Sequence, residues 1–299
     1  QVASTMSGKG DRMSEADQNI GRDPMAGIDG EVCRYWGDAN AKEEEWKQAR
    51  WEYLSASWAG PLMETCPYHA KDADEAGLSM RDMLIQKFRL REDLQVNNAM
   101  RHGSYQEPIV IDLWSRITGI PMLRSNAMYV STRAQNMSCT IDGFVLPDRD
   151  FPDAADVGYL EGARDPDEAS EKQAWFWPFL ERCYEMSDKH GPGLFEAKWK
   201  RQWAGGNRSQ AAKYPERFFT PGPDAHAETF GCPVQHAWQV MAQMHVTGVK
   251  WCVLGCVIGG FDPRAWVVEY DPEAGAMLAD RVGEFWRAFH GADHNLHTG

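Results

Sequence analysis

The 299-residue chain has no C-x-x-C pair, no disulfide framework, and no apolar run approaching the roughly 18 residues that a membrane helix needs. Its seven cysteines, at 33, 66, 139, 183, 232, 252 and 256, are odd in number, which fits a reducing compartment and predicts mostly buried thiols. The amino terminus lacks a charged-then-apolar signal pattern, and no internal repeat is present. Together these absences predict a soluble, cytoplasmic protein. Net positive charge is also missing: 31 basic against 44 acidic side chains give −13, which excludes attraction to nucleic acid over the whole surface. Any contact with a polyanion must be local.

What is present supports a sizeable core, with 43% hydrophobic residues and 13 tryptophans. One segment runs against the acidic balance. Lys198, Lys200, Arg201, Arg208, Lys213 and Arg217 are opposed only by Glu216 and interleaved with Trp199, Trp203 and Tyr214. A groove that tracks phosphates and a solvated loop both produce this composition.

Residues 1–30 are polar, Gly/Ser-rich and aperiodic, which predicts a mobile tail, with one domain over 31–295 interrupted by an insertion at 147–193. Helices are expected at Lys42–Leu54, with Ser57 as a candidate N-cap for the next, at Leu78–Leu90, and over 96–118 with a bend at Pro108. Ala127–Ser131 and Met137–Val145 read as a hairpin or meander. The insertion is acidic and then aromatic, and reads as a flap and a short helix. A strand within 191–203, a helix at Val234–Val246, a buried strand at Trp251–Ile258, a strand at Val267–Tyr270 and a last helix at Ala276–Phe289 complete an α/β or mixed α+β chain.

The stretch GPGLFEAKWKRQW, 191–203, sets Glu196 and Lys198 two positions apart among apolar residues. On a strand Leu194, Glu196 and Lys198 share one face while Phe195, Ala197 and Trp199 share the other. A solvated edge strand gives the same alternation. Thr140 and Asp142, also two apart, would share a face of another strand. Two neighbouring strands would then present two carboxylates, a lysine and a hydroxyl to one pocket. Such oxygens are hard ligands for Mg²⁺ or Mn²⁺, and a nearby lysine can orient a water or offset phosphate charge. Metal-assisted phosphodiester hydrolysis uses all of these groups.

Asp142-Gly143 followed by Glu196-x-Lys198 resembles the PD-(D/E)xK nuclease signature. RHGSYQEPIVIDLWSRITG (101–119) resembles the R-G-x-x-x-E-P helix of lambda-type phage exonucleases and YqaJ-type viral recombinases. HAWQVMAQMHVTG (236–248) resembles the family's Y-x-x-Q-V-Q-x-x-M-x-V-T-G helix, and WKQARWEYLSAS (46–57) its W-x-x-x-R-x-x-x-x-T-A-S segment. The blocks fall in the family's order across most of 46–260. The resemblance implies a restriction-endonuclease-like core, a central mixed sheet flanked by helices. It implies Mg²⁺ or Mn²⁺, two ions per site, held by Asp142, Glu196, the Ala197 carbonyl and Glu107. Lys198 would position or activate the water, assisted by Gln239. Arg50, Ser57 and Thr140 would hold a 5′-phosphate, and Lys200 and Arg201 would begin a basic path for the DNA backbone.

The activity so implied is 5′→3′ degradation of one strand at linear duplex DNA ends, supplying single strands for phage-type recombination. A homotrimer, a single-strand annealing partner and the cytoplasm of a phage-infected or prophage-bearing bacterium follow from the same resemblance. A nuclease of other polarity, a structure-specific endonuclease and a noncatalytic end-binding scaffold remain alternatives. Ser57 as a cap, Arg50 paired with Glu45 and Glu107 as a solvated helix carboxylate are the plainer readings of those residues. The sequence departs from the family at Ile141, Met241 and His236, and its spacing from Asp142 to Glu196 is far longer. The aromatic half of the insertion that fills this spacing reads as a docking surface for a subunit or partner. Cys252 and Cys256 read as core thiols, and His226, Cys232 and His236 lack an evident fourth zinc ligand.

Overall fold

The computed structural model describes residues 32–38, 43–64, 79–88, 98–133, 136–147, 166–200, 218–219, 232–258 and 262–298. In chain order its elements are β1 (Cys33–Asp38), α1 (Glu43–Glu52), β2 (Leu54–Ser55), α2 (Ala59–Leu62), α3 (Met80–Lys87), α4 (Asn98–Thr118), β3 (Met122–Arg124), β4 (Ala127–Ser131), β5 (Met137–Thr140) and β6 (Gly143–Val145). There follow α5 (Pro166–His190), β7 (Gly193–Lys200), β8 (Phe218–Phe219), β9 (Cys232–Pro233), α6 (Val234–Thr247), β10 (Trp251–Ile258), β11 (Asp262–Glu269) and α7 (Pro272–Thr298). The mixed α/β class is as expected, with the strands divided between two mixed sheets and a short β8/β9 ladder.

The first sheet has the order β1-β4-β5-β2 and the second β11-β10-β7-β6-β3. β7 is therefore the middle strand of five, not a solvated edge. It runs parallel to β10, with Glu196 opposite Leu254, and antiparallel to β6, with Phe195 opposite Gly143. Both faces of β7 are covered, each by a different core. Leu194, Cys252, Leu254 and Cys256 join α6 and α7 and, from the first sheet, Tyr129 and Cys139. Phe195, Ala197 and Val253 join α4 and α5 instead, through Trp114, Ile117, Phe176 and Leu180. Helix α1 packs on the remaining face of the first sheet, where Ala49 meets Met128 and Val130. The alternation of strand side chains thus sorts one sequence into separate hydrophobic layers.

α6 lies between the sheets, and its burial on nearly every side follows from its composition: Val240, Ala242, Met244 and Val246 are each 0% exposed. It ends at Gly248, whose φ of 79° is open to glycine at no steric cost and whose N–H returns to the Met244 carbonyl at 2.8 Å. A side chain there would also press on Val32, 3.1 Å from its position.

Three expectations need correction. Met137–Val145 is not one strand: the chain leaves the first sheet after Thr140 and enters the second at Gly143, so Thr140 and Asp142 do not share a face of one strand. The insertion does not end in a short helix but in α5, 25 residues long. Its acidic start suits a helix N-terminus, and Phe176, Phe179, Leu180, Cys183 and Met186 recur at helical spacing and are buried in the second core. Those aromatic side chains form core, which removes them as a docking surface. Ser57 is not a helix N-cap: it lies within a single 3-10 turn, Ala56–Trp58, and its hydroxyl donates to Ser55 Oγ at 3.2 Å. The expected tail, the flap at 148–165, the loop at 201–217 and His226 fall outside the described residues. Among the described residues, no helix is long and apolar enough to cross a membrane.

Candidate active site

Strand alternation turns Glu196 toward α6, where it is 1% exposed. A carboxylate taken so far from water needs hydrogen-bond donors in compensation. It has three. Gln239 Nε2 donates to Oε1 at 2.5 Å, Gln243 Nε2 donates to Oε2 at 2.6 Å, and the Lys198 ammonium makes a short ion pair with Oε1. Gln239 and Gln243 are four residues apart on α6, which stacks their amides on one face of the helix. Lys198, two residues beyond Glu196 on β7, keeps 19% of its side chain exposed and so marks the mouth of the site.

Asp142 arrives from the crossing between the two sheets. Its backbone carbonyl accepts the Ser125 N–H at 2.8 Å, and Ile141 just before it donates to the Ala127 carbonyl at 3.0 Å. The β6 ladder stops at Gly143, so beyond Phe195 no strand among the described residues pairs with that side of β7. Asp142 takes the ladder's place: its Oδ2 accepts the Ala197 N–H at 2.9 Å. The Ala197 carbonyl lies on the same strand edge as its N–H. Glu107 contributes from α4, the helix over the opposite face of the sheet, close enough for its charge to act on Lys198 and Glu196.

The electrostatics are unbalanced. Burial, reinforced by the charges of Glu196 and Glu107, holds the Asp142 carboxyl well above the usual carboxylate range, against the pull of Lys198 and of the Ala197 N–H. Burial raises Glu107 too, with Lys198 opposing and Glu196 adding. For Lys198, burial disfavours the charge, but Glu196, Asp142 and Glu107 outweigh it and raise the ammonium above the ordinary lysine value. Among the described residues, three carboxyls thus share one fixed cation. Hard oxygen donors in such surplus suit Mg²⁺ or Mn²⁺. Among the described residues no group of three or more His, Cys, Asp or Glu side chains is placed to hold a metal ion by itself. The Cys232 thiol, raised by burial, and the buried His236 sit in the core, apart from any such donor set.

A second polar corner adjoins the first. β2 pairs in parallel with β5, Ser55 opposite Ser138, which brings the turn carrying Ser57 alongside the strand that ends at Thr140. Trp46 Nε1 donates to Thr140 Oγ1 at 3.4 Å. Ser57 is exposed and Thr140 half-buried. Arg50 is on α1, one turn after Trp46; its side chain, that of Lys200, and all of Arg201 lie outside the described residues.

The structure therefore gathers Glu107, Asp142, Glu196, Ala197, Lys198 and Gln239, and sets Thr140 next to them through Gln243, whose Nε2 lies 3.3 Å from the Thr140 carbonyl. Sequence reasoning missed Gln243 and Trp46. The four-residue step from Gln239 was the available signal for the first; nothing in the sequence points Trp46 at Thr140.

A family profile described as "YqaJ-like viral recombinase domain" matches residues 45–250. No curated protein sequence matches the chain significantly. Among solved structures, an alkaline exonuclease (LHK-Exo) from Laribacter hongkongensis is similar at 18% identity and TM-score 0.47, covering 85% of this chain and 96% of that one. The same enzyme in complex with dAMP gives 17% and 0.48, covering 85% and 95%. A phage-related exonuclease from Haemophilus somnus 129PT gives 11% and 0.44, covering 82% and 96%.

Proposed function

This chain belongs to the YqaJ-like viral recombinase domain family, and from that premise we propose that it is a metal-dependent exodeoxyribonuclease that degrades one strand of linear duplex DNA in the 5′→3′ direction. The observation that carries this reading is the meeting of Asp142, from the crossing between the sheets, with Glu196 and Lys198 of β7 beside Glu107. Single strands left by such an enzyme are the substrate of homologous recombination, the role its family's description suggests.

Asp142, Glu196, Glu107 and the Ala197 carbonyl are the groups that would hold one or two Mg²⁺ or Mn²⁺ ions. A divalent ion there would supply Lewis acidity toward phosphate and a lowered pKa for water. The chain's own groups do the rest. The Ala197 N–H fixes Asp142, and Gln239 fixes Glu196 Oε1. Lys198, paired with Glu196 Oε1, would position or activate the attacking water and offset charge on the scissile phosphate. Thr140 and Ser57, with Arg50, would take the terminal 5′-phosphate, and Lys200 and Arg201 the backbone that follows.

End-labelled linear duplex with Mg²⁺ tests the proposal. Wild-type protein is expected to release nucleotides from the 5′ end, chelator to stop it, and Lys198→Ala to abolish it. Equal activity in Lys198→Ala and wild type would sink the mechanism, and unchanged degradation of a duplex with blocked 5′ ends would reverse the polarity. A solution mass of three chains would support a ring around DNA.

A further inference from the structure

Gln243 has no place in the family pattern and no role in the chemistry above, yet it is 2% exposed and makes two bonds that join different parts of the molecule. Its Nε2 lies 2.6 Å from Glu196 Oε2 and 3.3 Å from the Thr140 carbonyl oxygen. A primary amide nitrogen carries two hydrogens, and these two acceptors use both. Glu196 is on β7 of the second sheet and Thr140 ends β5 of the first. One amide therefore ties the cleavage carboxylate to the strand end that carries the phosphate-corner hydroxyl, and that hydroxyl in turn accepts Trp46 of α1, the helix of Arg50. By occupying Oε2, Gln243 also leaves Oε1 as the oxygen that faces Lys198 and Gln239. A buried amide is costly unless both its hydrogens are satisfied, so an apolar residue would serve a purely packing role at lower cost.

We propose that Gln243 is a positioning residue that fixes the spacing between the 5′-phosphate corner at Thr140 and the cleavage carboxylate Glu196, and so makes the enzyme discriminate a 5′-phosphorylated end from a 5′-hydroxyl end. This rests on the nuclease reading of the site. Gln243→Met keeps the length of the side chain and removes both donors.

The experiment compares wild type and Gln243→Met on two linear duplexes that differ only in the 5′ group. Two ratios are read: the cleavage rates with Mg²⁺, and the affinities in chelator, where no cleavage occurs. A ratio does not depend on the fraction of protein folded, which a simple loss of stability would change. The expected result is a wild type that prefers the phosphate in both measurements and a variant whose preference falls about tenfold toward equality, the scale of a lost hydrogen bond to a charged group. A variant that keeps the wild-type ratios, whatever its absolute rate, overturns the proposal. If the methionine variant does not fold, the near-isosteric Gln243→Glu, which lacks the amide hydrogens, is judged by the same ratios. A wild type that cleaves both ends equally overturns this proposal alone; a wild type that cleaves neither overturns the nuclease reading with it.

Discussion

Glu196 and Glu269 are both strand glutamates held by three donors, and they behave in opposite ways. Glu269, at the end of β11, receives Arg182 Nη2 at 2.9 Å and Lys189 Nζ at 2.8 Å from α5, with His190 Nε2 at 3.4 Å. Its side chain is 38% exposed, and the Lys189 hydrogen bond, with His190 and Arg182 behind it, lowers its pKa. Arg182 also pairs with Glu185 at 2.7 Å, so two fixed cations meet two carboxylates, and the result is a clamp that holds α5 against the sheet. Around Glu196 two of the three donors are neutral amides, and two further carboxyls crowd the single ammonium. Among the described residues that cluster holds more carboxyls than cations. The same residue type serves adhesion where charge is balanced at the surface and, on the proposed reading, chemistry where carboxyls crowd together in the interior.

Breaking the contrast at its strongest point means removing the interior cation. Lys198→Met leaves Asp142, Glu196 and Glu107 without a fixed countercharge, and should cost about 3–5 kcal/mol of stability in chelator, measured by denaturant unfolding. Mg²⁺ should restore much of that loss, although cleavage should not return. Glu196→Gln relieves the crowding instead. Cleavage should fall at least about a hundredfold while the metal-free protein loses no stability, the reverse of what a carboxylate serving as glue would do.

The pH dependence separates the clusters by sign. Asp142 and Glu107 have raised folded-state pKa values, so their stabilising contribution to the metal-free protein is complete below the ordinary carboxylate range and is lost as pH rises through the raised values. Glu269 has a lowered one, so its contribution is present above the ordinary glutamate value and lost as pH falls through the lowered one. The melting temperature in chelator should therefore decline as pH climbs out of the ordinary carboxylate range, and Asp142→Asn should flatten that decline. The smallest effect is expected from Glu269→Gln: about 1 kcal/mol or less, shrinking further in high salt, with cleavage unchanged.

Much of the site was legible because strand and helix periods are short. The two-residue step set Glu196 and Lys198 on one face of β7, and the family pattern joined them to Asp142, Gln239 and Glu107. The fold class followed from the same periodicities. What the sequence hid was long-range. Whether β7 is an edge or a middle strand depends on β10, more than fifty residues later, and on a β6 only three residues long. The change of sheet between Thr140 and Gly143 leaves no mark in a run of apolar and small residues, so that stretch read as one strand. Helix α5 reads as short from the sequence because its first turns are acidic and its aromatic residues count equally well as surface or core until a sheet is known to lie beneath them. Gln243 needed only a helical wheel, but the partner that gives it meaning, Thr140, is 103 positions away.

The crossing between the sheets also bears on when the carboxylate cluster comes into being. Asp142 is placed by contacts with Ser125 and Ala197, the latter 55 residues further along the chain, and Glu196 then waits on α6. Contacts of such sequence separation form late, after the loops between them have closed. A nascent or half-folded chain therefore carries every residue of the cluster without the cluster itself. The cluster is a product of the docked sheets, complete only when the crossing, β7 and α6 have met.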